Sequence, residues 1–258
     1  MIKYLKNYIR KKLLNHGFEF KKIRGTNDFN FVELSSDEID LVKEVYKSKY
    51  SMTSIPRLVA TLKACKYVVS QNIEGDFVEC GVWRGGNSII AKKIFEKMKS
   101  DKKLYLFDTY TGMTEPTDFD KDFFKNERAS LKYKTNIEKN FNNWCYASLD
   151  DVKNNFLNFG INIDQINFIK GDVKDTLLDK DNLPTKISVL RLDTDWYEST
   201  LLELKILYPL LTSKGNLIID DYGHWQGSKK AVDEYFKDLN YKPLMHITDY
   251  TGRSGIKF

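Results

Sequence analysis

The chain has 258 residues, 41% hydrophobic and 30% charged, with a formal net charge of +5 and a pI near 8.8. That content supports one large α/β domain with or without an extension, and the evenly spread positive charge leans toward anionic small substrates and not toward a nucleic-acid surface. No apolar run reaches membrane-spanning length, no apolar core follows the basic start MIKYLKNYIRKK, and Cys65, Cys80 and Cys145 are too few and scattered for a disulfide framework or a zinc site, so a cytoplasmic protein with reduced thiols is expected.

In chain order, Ile2, Leu5, Ile9 and Leu13 recur at helical spacing over residues 1–16. Such a basic helix would pack on its own domain or on a second subunit, in preference to a membrane surface. A second helix should start after SSDE, with Ser35 or Ser36 as cap and Glu38 following. A third, over about 55–71, places Leu58, Leu62, Cys65 and Val69 on one side, and Pro56 suits its first turn. Residues 1–74 therefore read as an N-terminal helical extension. From Gly75 strands and helices alternate: DFVECGV, KLYLFDT, INFIKGD, ISVLRLD and NLIIDD are strands, and KPLMHITDYTGRSGIKF supplies one or two more. The alternation predicts a doubly wound, mainly parallel, Rossmann-like domain over residues 75–258. Within it, residues 113–147 are polar, aromatic and Asp-rich, which fits a lid that faces a substrate.

The chemistry gathers at the strand ends. The first strand runs into ECGVWRGGNS, where Gly81, Gly85 and Gly86 permit a tight turn before a helix. Gly81, Gly86 and Ser88 keep the spacing of a P-loop, but Asn87 stands where its lysine should be, and no G-x-G-x-x-G occurs. The remaining reading is an S-adenosylmethionine loop, with Glu79 holding the ammonium of the cofactor. Asp108, ending the second strand beside Thr109, could accept from both ribose hydroxyls, and Asp172, after Gly171 at the third strand end, would lie near the adenine. Any one of these acids is ordinarily a cap or turn residue; three at successive strand ends suit a nucleoside-shaped ligand.

The most informative run is VLRLDTDWYEST at 189–200 with NLIIDDYGHW at 216–225. Two apolar strands joined by a helix form a β-α-β unit, which brings Asp193, Asp195, Asp220 and Asp221 to one sheet edge. Four carboxylates in one crevice repel one another unless a cation joins them, and oxygen-only ligands with no nearby Cys or His favour a hard ion such as Mg²⁺.

Together GDFVECGVWRGGNS, LYLFDTYTGM, GDVKDTL, LRLDTDWYEST and LIIDDYG resemble the macrocin O-methyltransferase family over about residues 50–255. The resemblance implies an S-adenosylmethionine- and Mg²⁺-dependent sugar O-methyltransferase with Asp193, Asp220 and Asp221 as metal ligands and Asp195 as catalytic base. It implies a cofactor contact at Met52 and Thr53 in the SMTS segment, and a homodimer or larger homo-oligomer. The acceptor is expected to be a nucleotide-linked or glycan sugar for a surface polysaccharide, with Tyr110, Trp196, His224 and Trp225 as candidate contacts. The competing readings are a catechol or phenolic O-methyltransferase and a non-catalytic cofactor-binding subunit.

Overall fold

The computed structural model describes residues 12–13, 31–237, 239 and 241–258. The helix expected over residues 1–16 thus lies outside the described residues, apart from Lys12 and Leu13. The chain divides into two compact units, 1–39 and 40–258. Helix α1 (Ser36–Ser48) begins with the Ser35 N–H donating to Glu38 Oε2 at 2.9 Å, the capping expected from SSDE. Helix α2 (Ile55–Ser70) has Ser54 as N-cap and Pro56 in its first turn. It packs on the helix after the first strand and reaches the fourth and fifth strands, so the contacts do not divide at the expected 74/75 boundary.

The second unit is a seven-stranded sheet in the order β3-β2-β1-β4-β5-β7-β6. Its strands are β1 (Asp76–Cys80), β2 (Leu104–Asp108), β3 (Ile166–Lys170), β4 (Ile187–Leu192), β5 (Leu211–Ile219), β6 (His246–Ile247) and β7 (Arg253–Ile256). The first five are parallel, while β7 runs antiparallel to both β5 and β6. The intervening helices are α3 (Gly86–Lys97), α4 (Ala129–Thr135), α5 (Leu149–Asn158), α6 (Val173–Thr176), α7 (Tyr197–Leu207) and α8 (Gln226–Lys237). This is the doubly wound architecture that the alternation predicts, and the closing segment supplies two strands.

Strand β4 is buried at all six positions, and its central placement between β1 and β5 explains its near-continuous apolar run. The order reverses between β1 and β4, the switch point where a crevice opens beyond the strand ends. Backbone hydrogen bonds carry the ladder to that edge: Gly171 N donates to Asp108 O, Gly81 N to Phe107 O, Asp193 N to Cys80 O, and Asp220 N to Leu192 O, at 2.8–3.0 Å. Gly81 (φ +83°) is tied to this register, since a Cβ there would overlap the carbonyl of Asp193.

The insertion at 113–147 is folded. It contains α4 and buries Ala129 and Trp144 against Trp196 and Trp225. The rings of Trp196 and Trp225 are 5.1 Å apart, edge to face.

Candidate active site

Two clefts open at the switch point. The first, about 670 Å³, is lined by Gly81, Asp108, Thr109, Gly171, Asp172 and residues of the insertion including Met113 and Cys145. The second, about 820 Å³, is lined by Thr53, Arg57, Lys132, Trp144, Asp220, Asp221, His224, Trp225 and Tyr250. Met52, Trp83, Asp193 and Asp195 line both. The two aspartates thus stand where the clefts meet.

On the β4–β5 side the acids crowd. Oxygens of Asp193, Asp195 and Asp221 lie within 4.8 Å of one another, an arrangement that could hold a metal ion. Burial first, and then the mutual repulsion of the acids, pushes Asp193 and Asp221 well above the usual carboxylate range. Burial raises Asp195 to about 7. Asp221 Oδ2 is buried without a hydrogen-bond partner.

Asp220 differs from the ligand set that the resemblance implies. Its Oδ2 is held by Arg57 Nη1 and its Oδ1 by Arg191 Nη2, so both oxygens face guanidinium groups and it is not among the three converging carboxylates. Arg191 is the hub. It is Glu79's register partner across β1 and β4 and donates through Nη1 to Glu79 Oε1 and Asp193 Oδ2, each at 2.7 Å. Despite the cost of burial, the surrounding acids hold Arg191 and Arg57 above their ordinary values. Arg57 Nε also faces Asp249 Oδ2 at 3.1 Å, and Asp249 in turn accepts from Ser54 Oγ.

Glu79 lines the second cleft, but Arg191 takes one of its oxygens and Ser88 Oγ the other. Burial raises it to about 7. Ser88 is fully buried, with its hydroxyl spent on Glu79, so the structure does not present it to a cofactor.

At the ends of β2 and β3 the acids are met by backbone. Asp108 Oδ2 accepts from Val82 N (2.7 Å) and Trp83 N (2.9 Å), and Oδ1 from Tyr110 N (2.7 Å). It clamps the glycine loop and lines the first cleft at the same time. Asp172 Oδ1 accepts from Lys174 N at 2.9 Å as the N-cap of α6. Gly85 is buried at φ +88°, opposite Phe156, and shapes the turn into α3 without lining either cleft. Thr53 is buried on Ser51 Oγ, whereas Met52 is exposed at the mouth of both clefts.

Two expected acceptor contacts move into the core. Tyr110 (φ +51°) is only 2% exposed and donates its hydroxyl to Leu106 O, because the left-handed turn after β2 swings the ring inward. Trp196 is also 2% exposed, under the insertion, with its indole N–H on Thr114 O at 3.0 Å. His224 and Trp225 do line the second cleft. Burial lowers the His224 imidazole, and its Nδ1 is buried without a hydrogen-bond partner.

Sequence motifs missed Arg57, Arg191 and Lys132. Arg191 carried a signal, since a charged residue inside a buried strand needs charged neighbours. Lys132 Nζ sits 4.2 Å above the Trp144 ring, a pairing across 12 residues that no helical or strand period exposes.

Known proteins share this arrangement of chain. A family model described as Macrocin-O-methyltransferase (TylF) matches residues 10–253. Demethyldecarbamoylnovobiocin O-methyltransferase of Streptomyces niveus is 33% identical over 191 residues, 72% of this chain and 67% of that one. Mycinamicin III 3''-O-methyltransferase of Micromonospora griseorubida is 31% identical over 196 residues, 72% of this chain and 70% of that one. The solved structure of the O-methyltransferase NovP superposes with a TM-score of 0.71 at 30% identity, over 81% of this chain and 82% of that one.

Proposed function

The chain belongs to the macrocin O-methyltransferase family and is an S-adenosylmethionine-dependent O-methyltransferase, and on that premise we propose that it methylates a sugar hydroxyl with the help of a divalent cation. One observation carries the reading: Asp193 and Asp195 stand in the wall shared by the two clefts. The first cleft takes the methyl donor, held at Gly81, Asp108, Gly171 and Asp172. The second takes the acceptor. Relatives named for novobiocin and mycinamicin steps, and for a rhamnosyl group in a tetracenomycin, support a sugar.

The residues fit a hard cation. Three carboxylates converge, Asp221 buried and Asp193 and Asp195 half-buried, with an unpartnered oxygen on Asp221, and a cation would offset the burial and mutual repulsion that push Asp193 and Asp221 up. Asp193 and Asp221 would hold Mg²⁺, which when bound acidifies and orients an acceptor hydroxyl. Asp220, with its two guanidinium partners, steadies Arg191 behind them. Asp195 takes the hydroxyl proton, and the rest of the rate comes from holding oxygen, methyl carbon and leaving sulfur in line. The exposed ring of Tyr250, with the buried indoles of Trp144 and Trp225 in the wall, offers apolar contact to a sugar, and Lys132 offers positive charge to a linked phosphate, so a nucleotide-linked or glycan sugar for a surface polysaccharide is the acceptor we favour.

Formation of S-adenosylhomocysteine should be followed with dTDP- and UDP-hexoses, free glycosides and catechol, each with Mg²⁺ and with EDTA. The proposal expects turnover of a sugar, abolished by EDTA and restored by Mg²⁺. Faster turnover of catechol than of every sugar, or full activity in EDTA, would sink it.

A further inference from the structure

Asp195 adopts φ +69°, in the left-handed region that is uncommon outside glycine, although Asp enters it more readily than most residues. On its N-terminal side the chain is fixed by the ladder bond from Asp193 N to Cys80 O at 2.8 Å. On its C-terminal side it is closed by its own turn, with Trp196 N donating to Thr194 O at 2.8 Å, and by groups of the insertion. The Trp196 indole N–H donates to Thr114 O at 3.0 Å, and Tyr197 N donates to Asp120 Oδ1 at 2.8 Å.

That second bond fills a gap in the helix itself. The N-cap of α7 is Trp196, which has no side chain able to accept from the first turn. Asp120, 77 residues earlier, supplies the missing acceptor, and a carboxylate suits the positive end of a helix. Its Oδ2 accepts from Thr117 N at 2.6 Å and Thr117 Oγ1 at 2.8 Å. Its own carbonyl accepts from Ala129 N at 2.9 Å, where α4 begins. The carboxylate is fully buried, and a Cβ on Gly227, in the first turn of α8, would overlap it. The insertion, α7 and α8 therefore meet on one side chain. A buried carboxylate bonded by three uncharged donors is costly to desolvate, and the position is explained by its joining these segments.

We propose that Asp120 is a positioning residue: it ties the insertion to the start of α7 and so holds Asp195 in the conformation that faces the acceptor. The inference rests on the reading of Asp195 as the base. The insertion is then part of the catalytic scaffold as well as a cover over the clefts.

The test compares crystal structures of the wild type with Asp120→Ala, Asp120→Ser and Asp120→Asn, together with calorimetric titration of S-adenosylmethionine. Serine keeps a hydroxyl in the same pocket but ends one bond short of the carboxylate oxygen that Tyr197 N reaches, so it remains informative if the alanine variant fails to fold. Asparagine keeps one oxygen for Tyr197. In the alanine and serine variants Asp195 should leave positive φ, S-adenosylmethionine affinity should stay within about twofold, and kcat on an acceptor the wild type uses should fall about 30–100-fold, the scale of a displaced catalytic group. The asparagine variant should recover most of that kcat. Asp195 staying at positive φ in the serine variant overturns the proposal, as does a loss of S-adenosylmethionine affinity equal to the loss of kcat. Asp195→Asn, assayed in parallel, separates the two readings: if it keeps wild-type kcat, the base lies elsewhere, whatever Asp120 does to φ.

Discussion

The same residue type ends strands on both sides of the switch point and meets two different fates. At β2 and β3, Asp108 and Asp172 are answered by backbone N–H groups of their own loops. At β4 and β5, Asp193, Asp195 and Asp221 face one another, with Arg191 and Arg57 engaged behind them. An acid satisfied by fixed amides shapes a loop and binds as part of it. An acid crowded by other acids stores a demand for positive charge, which a cation or a proton from a substrate can meet.

The largest effect of that contrast belongs to the crowded side. Asp195→Asn keeps shape and removes the proton acceptor, so kcat should fall about 10²–10⁴-fold with little change in S-adenosylmethionine affinity. Near wild-type kcat would erase the distinction and make His224, with its unpartnered Nδ1, the next candidate.

Next in size is the response to metal and pH. Asp193, Asp195, Asp221 and Glu79 are all raised, with burial the largest cause. The unfolded chain loses these protons near pH 4, whereas the fold keeps those of Asp195 and Glu79 to about pH 7. Folded pKa values above the unfolded ones give stability that is full below about pH 4 and is lost as pH rises through about 7. The metal-free Tm should therefore fall across this window. Mg²⁺ replaces the protons, so its stabilisation should grow with pH. At about a hundredfold excess over Kd it should reach about 2.7 kcal/mol, or about 5–10 °C. Scanning calorimetry from pH 5 to 8 with and without Mg²⁺ measures both; a metal effect independent of pH would show that the trio is not the site.

The satisfied side gives a smaller effect of another kind. Asp108→Ala frees Val82 N and Trp83 N and should loosen the glycine loop, weakening S-adenosylmethionine by about 1.5–3 kcal/mol. On a saturating donor concentration kcat should recover. If kcat stays low at saturation, Asp108 acts on the reacting groups and the two sides are less distinct than drawn here.

Much of this was legible in the sequence. Apolar runs closing in acids located β1 to β5, and the order of those runs put the acids at one edge. What the acids do there was not legible, because it depends on register and on loops. Glu79 reads as a cofactor ligand from its place beside the glycine loop, and only the pairing of β1 and β4 reveals Arg191 opposite it. Asp220 reads as a metal ligand, and nothing in the sequence shows that Arg57, from a helix 163 residues away, takes one of its oxygens. Asp120 had no periodicity or motif around it, and its role exists only where α7 lacks a cap.

Tyr110 provides the smallest effect and the finest test of the same contrast. It follows Asp108 by two residues, and its backbone N–H is one of the donors that satisfy that acid. Its position beside a carboxylate motif suggests an acceptor contact, yet the left-handed turn buries the ring and directs the hydroxyl to Leu106 O at 3.2 Å. Tyr110→Phe keeps the ring and the backbone donor and removes only that hydrogen bond. One buried carbonyl then loses a partner, which should lower stability by about 0.5–1.5 kcal/mol. Donor affinity, acceptor KM and kcat should all stay within about twofold, since neither cleft is lined by this residue. Denaturant melts and steady-state kinetics on one sugar acceptor measure the two halves. A tenfold rise in acceptor KM with unchanged stability would mean that the turn after β2 opens during turnover and that Tyr110 reaches the substrate after all.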